Sequence, residues 1–255
     1  MTALRKPVCM TVAEFQAWQP DEHPERRWQL LDGDPVCMTP ASDNHGRIQA
    51  EAAFLLTAHL RERRPGCDVV VAPGVVPRIR SATNHRVPDL GVTCSPPSGG
   101  QFVADPVLLI EILSPSNAAL TRANVWASTT IPSVQEILLL ASVKVEAELL
   151  RRGPDGNWPE APLLLGAEGD VELAPIGFRG RCAAATAPRI FCRGGDAGGA
   201  PTSVRHVPAG EAAPWPWPFY GTTRMSKSWN TAMGASDHLG RRLVGVEQGV
   251  HLPRR

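Results

Sequence analysis

Two acidic residues stand where acids are costly. Asp89 lies inside the stretch Val87-Pro88-Asp89-Leu90-Gly91-Val92, and Glu111 interrupts the apolar run Leu108-Leu109-Ile110-Glu111-Ile112-Leu113. A lone carboxylate in a buried strand is strongly unfavourable unless it is paired or bound to a cation. Two such strands side by side would bring both acids to one edge, where their charges repel. A hard divalent cation such as Mg²⁺ relieves that repulsion and takes oxygen ligands. The other solution is that each acid meets a buried arginine or a loop N–H; the residues alone leave both open. Amine chemistry has few candidates, because Lys6, Lys144 and Lys227 are the only lysines among 26 basic residues. A phosphate-cradling GKS/T loop, a GxGxxG turn and a GxSxG elbow are all missing, which argues against nucleotide hydrolysis, dinucleotide binding and an α/β-hydrolase.

The elements that must position these acids follow from local signals. Thr11 and Glu14 form a capping box that starts a short helix ending near Trp18. Residues 27–31 and 35–38 flank Asp32-Gly33, the signature of a hairpin. Ser42 and Asp43 cap a long helix over 44–63, with Ile48, Ala52, Leu55, Leu56, His59 and Leu60 along one face. One or two strands are expected over 68–72 and 75–79, split by Pro73-Gly74, and further strands over 87–93 and 107–113, the last a nearly unbroken apolar run suited to a buried central place. Ser114 to Asn117 stops that strand and caps a helix to about Thr129. Residues 136–141, 144–151 and 170–173 complete the strands. A helix crossing between neighbouring strands implies an α/β fold, a mixed sheet flanked by helices.

Composition divides the 255 residues near Arg179. Residues 179–255 hold 11 Gly and 7 Pro and carry a net charge of +7, against −6 for residues 1–178. The later segment shows no sustained apolar period. It is expected to be a basic, disordered C-terminal tail behind a single domain over 1–178. Its arginines and the aromatics of WPWPFY suit nucleic-acid backbone and bases; the bland alternative is sequence without a selected role. The six cysteines are scattered, a pattern expected of reduced thiols. The opening MTALRKPVCMTVAEFQAW lacks the apolar stretch and cleavage site of a secretory signal, so a cytoplasmic location is expected.

Pro88-Asp89 followed 22 positions later by Glu111 resembles the half-motif of PD-(D/E)XK nucleases. MTVAEFQAW, WQLLDGDPVCMTPASDNHGRI, VPDLGVTC, DPVLLIEILSPSN and IPSVQEILLL come in the order seen in the Uma-two family of restriction endonucleases, over about Met10 to Phe178. The resemblance implies a restriction-endonuclease-like fold and a Mg²⁺-dependent (or Mn²⁺-dependent) endonuclease acting on DNA, as many nucleases of this fold do in homodimers. It makes Asp89 and Glu111 metal ligands, with the backbone carbonyl of Ile112 as a third. His45 would orient a water or phosphate, or else cap a neighbouring loop, and Glu51 stands where related folds sometimes place a supplementary acid, or else on a solvated helix face. The motif lysine is missing, since position 113 is Leu. Its alternative place on the following helix is Asn124, with Arg122 as a nearby cation and Lys144 a remote one. Arginine stabilises charge but hardly serves as a base. That departure motivates a second reading, a catalytically degenerate protein of the same fold that acts as a binding module. A paired-carboxylate glycosidase is a distant third, because residues 1–178 offer four tryptophans and no tyrosine.

Overall fold

The computed structural model describes residues 9–18 and 26–183. The remainder of the expected tail lies outside the described residues. The short helix α1 (Val12–Ala17) opens with both halves of its capping box formed between Thr11 and Glu14. Its Phe15 packs edge-on against His85. Strands β1 (Trp28–Leu31) and β2 (Asp34–Cys37) form the expected hairpin, with Asp32 and Gly33 at positive φ in the turn. The long helix α2 (Asp43–Arg63) is capped by Ser42, whose hydroxyl accepts the His45 N–H.

A six-stranded sheet follows, in the order β3-β4-β5-β6-β7-β8. Its strands are β3 (Asp68–Val71), β4 (Leu90–Thr93), β5 (Pro106–Leu113), β6 (Glu136–Ala141), β7 (Glu146–Arg151) and β8 (Leu163–Gly166). Only β5 and β6 are parallel; the other pairs are antiparallel. Helix α3 (Ala118–Ser128) makes the crossover that a parallel pair requires. One face of the sheet, with Leu90, Val92, Leu108, Ile110 and Ile112, packs against Ile48, Ala52, Leu56 and Leu60 of α2. The other face, with Leu109, Ile137, Leu139 and Leu150, receives Val125 of α3. β5 is therefore covered on both sides, as its continuous apolar run requires.

Three expectations are corrected. Residues 75–79 form no strand; Val75 makes a single bridge to Arg86, since Pro73 and Pro77 remove ladder donors. β8 was not expected, nor was β10 (Phe178–Arg181), which pairs with the expected strand β9 (Asp170–Leu173), and the boundary drawn after Phe178 falls inside β10. The thiols also depart from the reduced state at one pair, Cys67 and Cys94, which form a disulfide. The cause is register. Asp68 faces Thr93 in the β3–β4 ladder, so the next residues outward, 67 and 94, face each other.

That bond closes a 27-residue span, which by loop entropy stabilises the fold by about 3–4 kcal/mol. Peptide mapping without reductant should recover a linked 67–94 peptide, and a Cys67→Ser/Cys94→Ser variant should melt at a lower temperature. Recovery of Cys67 linked to any cysteine other than Cys94 would contradict the register.

Candidate active site

The β4–β5 register builds the centre. Leu90 faces Ile110, so antiparallel pairing sets Asp89, one residue before β4, opposite Glu111. The two acids that looked misplaced in sequence thus meet at one place. Asp89 is held on both oxygens: Oδ2 accepts the Ile112 backbone N–H at 2.7 Å, and Oδ1 lies 2.9 Å from His45 Nε2. Its carbonyl accepts from Gln49 Nε2 at 2.8 Å and from the Ala72 N–H at 2.9 Å. The Ser42 cap places His45 in the first turn of α2, and Gln49 follows one turn later. The helix start is therefore pinned to Asp89 through two side chains.

Glu111 is only 6% exposed. Burial, and next the Asp89 carboxylate, push it well above the ordinary carboxylate range; the Asp89 backbone N–H and the Arg86 guanidinium pull the other way. Ile112 sends its N–H to Asp89, and in an extended residue the C=O points to the same side. Its carbonyl is thus directed to the β4 side of β5, beside the two carboxylates. Among the described residues no three His, Cys, Asp or Glu side chains converge as a metal-holding group. The donor set is two carboxylates and a carbonyl, all hard oxygens, in a place where the carboxylates repel. That set fits Mg²⁺, which binds through few protein oxygens and keeps several waters.

The remaining expected residues are distributed as follows. Arg122 makes a two-pronged ion pair with Glu148 of β7, at 2.9 and 2.7 Å. Asn124 is buried on α3, and its Oδ1 accepts from Arg86 Nη1 at 2.8 Å. Glu51 is half-buried on α2. Lys144 is exposed and pairs with Glu146. Ser114 serves the turn before α3, donating from both its N–H and its hydroxyl to Asn117 Oδ1.

Sequence reasoning missed Arg86. It lies three residues before Asp89 and is buried, contributing to the field on Glu111. The available signal was a charged residue in the extended run that carries Asp89 into β4; a surface position was the default for it.

The family model whose description is "Putative restriction endonuclease" matches residues 12–184. The chain belongs to this family, Uma-two (Uma2). A protein from Synechocystis, "Uncharacterized protein slr1290", is 31% identical over 173 residues, covering 65% of this chain and 85% of that protein. A second Synechocystis protein, "Uncharacterized protein sll1609", is 24% identical over 170 residues, covering 65% and 93%. Among solved structures, a crystal structure titled as a putative nuclease belonging to DUF820 from Anabaena variabilis superposes with a TM-score of 0.54 at 16% identity, over 69% of this chain and 97% of that one. The mixed sheet with flanking helices is thus a nuclease-like fold.

The raised Glu111 has a consequence for stability. A carboxyl raised in the folded state stabilises the protein below the ordinary carboxylate range, and that contribution is lost as pH rises through the raised value. Metal-free protein should therefore melt at lower temperature at pH 8 than at pH 5.5. Glu111→Gln should melt higher than the unaltered chain at pH 8 and flatten this dependence; scanning calorimetry across that range reads both.

Proposed function

We propose that this chain is a metal-dependent endonuclease that hydrolyses DNA phosphodiester bonds. The observation that carries the reading is the pairing of Asp89 with buried Glu111 across β4 and β5 in a chain of a restriction-endonuclease family. Asp89, Glu111 and the Ile112 carbonyl would hold Mg²⁺. When bound, that ion polarises the phosphodiester and lowers the pKa of a coordinated water. The protein's own part is positioning. His45 and the Ile112 N–H fix both Asp89 oxygens, so the carboxylate meets a cation without searching rotamers. The two strands set the separation of the acids, and α2 and α3 keep bulk water from their inner sides. Side chains that hold a metal-binding carboxylate from behind commonly matter about 10–100-fold in metal affinity or activity, which is the weight assigned here to His45. Cutting both strands of a duplex calls for two centres, and a homodimer would supply them. The arginine-rich segment after residue 183 is suited to the DNA backbone.

The competing reading, a binding module that has lost catalysis, draws on one observation: the α3 position where a lysine was expected is the amide Asn124, already bonded to Arg86. Metal binding separates the two readings.

Purified full-length chain should nick supercoiled plasmid with Mg²⁺ or Mn²⁺ and not with EDTA. Asp89→Asn should lower the rate at least about 10²-fold, as removal of a group that organises transition-state charge does, and His45→Ala about 10-fold or more. Calorimetric titration should show Mn²⁺ binding that Asp89→Asn abolishes. Neither nicking nor metal binding would leave the binding module as the surviving reading.

A further inference from the structure

Arg86 is a buried charge held by neutral partners. It is 8% exposed, donates from Nη1 to Asn124 Oδ1 at 2.8 Å and from Nη2 to Asn84 Oδ1 at 2.9 Å, and leaves Nε without a partner. Several other arginines of the fold meet carboxylates: Arg80 meets Asp32, Arg122 meets Glu148, and Arg151 meets Glu136; Arg152 meets backbone carbonyls instead. Amide oxygens orient a guanidinium without cancelling its charge, whereas a paired carboxylate does both. The carboxylates of Asp32 and Glu111 favour its charge through space, but its hydrogen-bond partners are neutral, and burying a guanidinium without a directly paired carboxylate is costly, so this arrangement needs a reason.

The amides are themselves fixed. Asn84 Oδ1 also accepts the Asp32 N–H at 3.0 Å, and Asn84 Nδ2 donates to Asp32 Oδ1 at 2.9 Å and to the Ile79 carbonyl at 3.2 Å. Asn124 Nδ2 donates to Gln29 Oε1 at 3.3 Å. The β1–β2 hairpin, the segment entering β4 and α3 thus clamp one guanidinium. Its place is also set. Glu111 pairs in register with Leu139, which lies on the sheet face that packs against α3. Glu111 therefore emerges on the face where Asn124 holds Arg86, and Asp89 follows Arg86 by three residues. The charge is permanent at neutral pH.

We propose that Arg86 is the fixed cation of the centre, facing the scissile phosphate and stabilising the negative charge that gathers on it in the transition state. The assignment rests on the nuclease reading and deepens it. In the hydrolysis, water gives its hydroxyl to phosphorus and its proton to O3′ as the P–O3′ bond breaks. Arg86 moves no proton; it contributes charge. It fills the role for which sequence reasoning found no lysine, from a different element of the fold.

The test uses full-length protein, supercoiled plasmid and Mg²⁺, with Mn²⁺ calorimetry and thermal unfolding as controls. Arg86→Met should lower kcat about 10²-fold while Mn²⁺ still binds. The double variant Arg86→Met/Asn124→Lys, which brings a cation in from α3, should recover at least about 10-fold of that loss, a rescue that a merely structural arginine would not show. Should Arg86→Met fail to fold, Asn124→Asp decides the matter. It keeps the hydrogen bond and the size, puts a carboxylate on the guanidinium, and should lower kcat about 10-fold or more in a folded protein. Nicking that survives both Arg86→Met and Asn124→Asp overturns the assignment alone. A folded double variant no faster than Arg86→Met also overturns it. No metal-dependent nicking by the unaltered chain overturns the nuclease reading together with it.

Discussion

The structure turns on one repulsive pair. Asp89 and Glu111 are two carboxylates opposite each other across β4 and β5, the second of them buried. Nothing in the hydrophobic core profits from this arrangement, and burial and proximity both act against ionising Glu111. The surrounding contacts make sense as answers to that cost. The Ile112 N–H and His45 hold Asp89, Gln49 and Ala72 hold its carbonyl, and Arg86 supplies a compensating field. Such a pair of like charges suits the cation proposed for it.

The scaffold exists to make that pair rigid. β5 is covered by α2 on one face and by α3 on the other, which locks the register that sets Glu111 opposite residue 89. A one-residue slip of β5 would move Glu111 to the α2 face and put Ile110 or Ile112 in its place. The parallel β5–β6 pair places α3 directly over the carboxylate face, because a right-handed crossover must pack back onto the sheet. That is how Asn124, distant in sequence from Arg86 and Gln29, comes to bond both. The Cys67–Cys94 disulfide ties β3 to β4 at the far end of the same ladder. Disulfides persist in oxidising surroundings, so in a reducing compartment the hydrogen-bonded ladder alone would join those strands.

The fold class was legible in the chain itself, for reasons that can be named. The Thr11–Glu14 capping box, the Asp32-Gly33 turn, the Ser42 cap and the apolar run of β5 are short-range signals whose chemistry is complete within a few residues. Asp89 and Glu111 were legible because an acid in an apolar strand is costly wherever the strand goes. The limit came where a residue's meaning depends on its partner across the sheet. Arg122 looked like a cation for the centre, yet it faces Glu148, two strands away from Glu111 in the ladder. β8 and β10 were missed because short polar-flanked strands are defined by the neighbours they pair with.

Sequence by itself determined that this chain builds an α/β domain with two anomalous acids at its centre and a family's order of motifs around them. Periodicity, caps and the desolvation cost of a carboxylate are properties of the chain alone. Only the tertiary structure decided which charges meet. It joined Asp89 to His45, set Arg86 between Asn84 and Asn124, assigned Arg122 to Glu148, and brought Cys67 to Cys94. Each of these depends on strand register and on the crossover of α3. A hydrogen bond or ion pair acts over about 3 Å, and, the neighbouring Asn84 and Arg86 aside, no local rule brings together residues 26 to 44 positions apart.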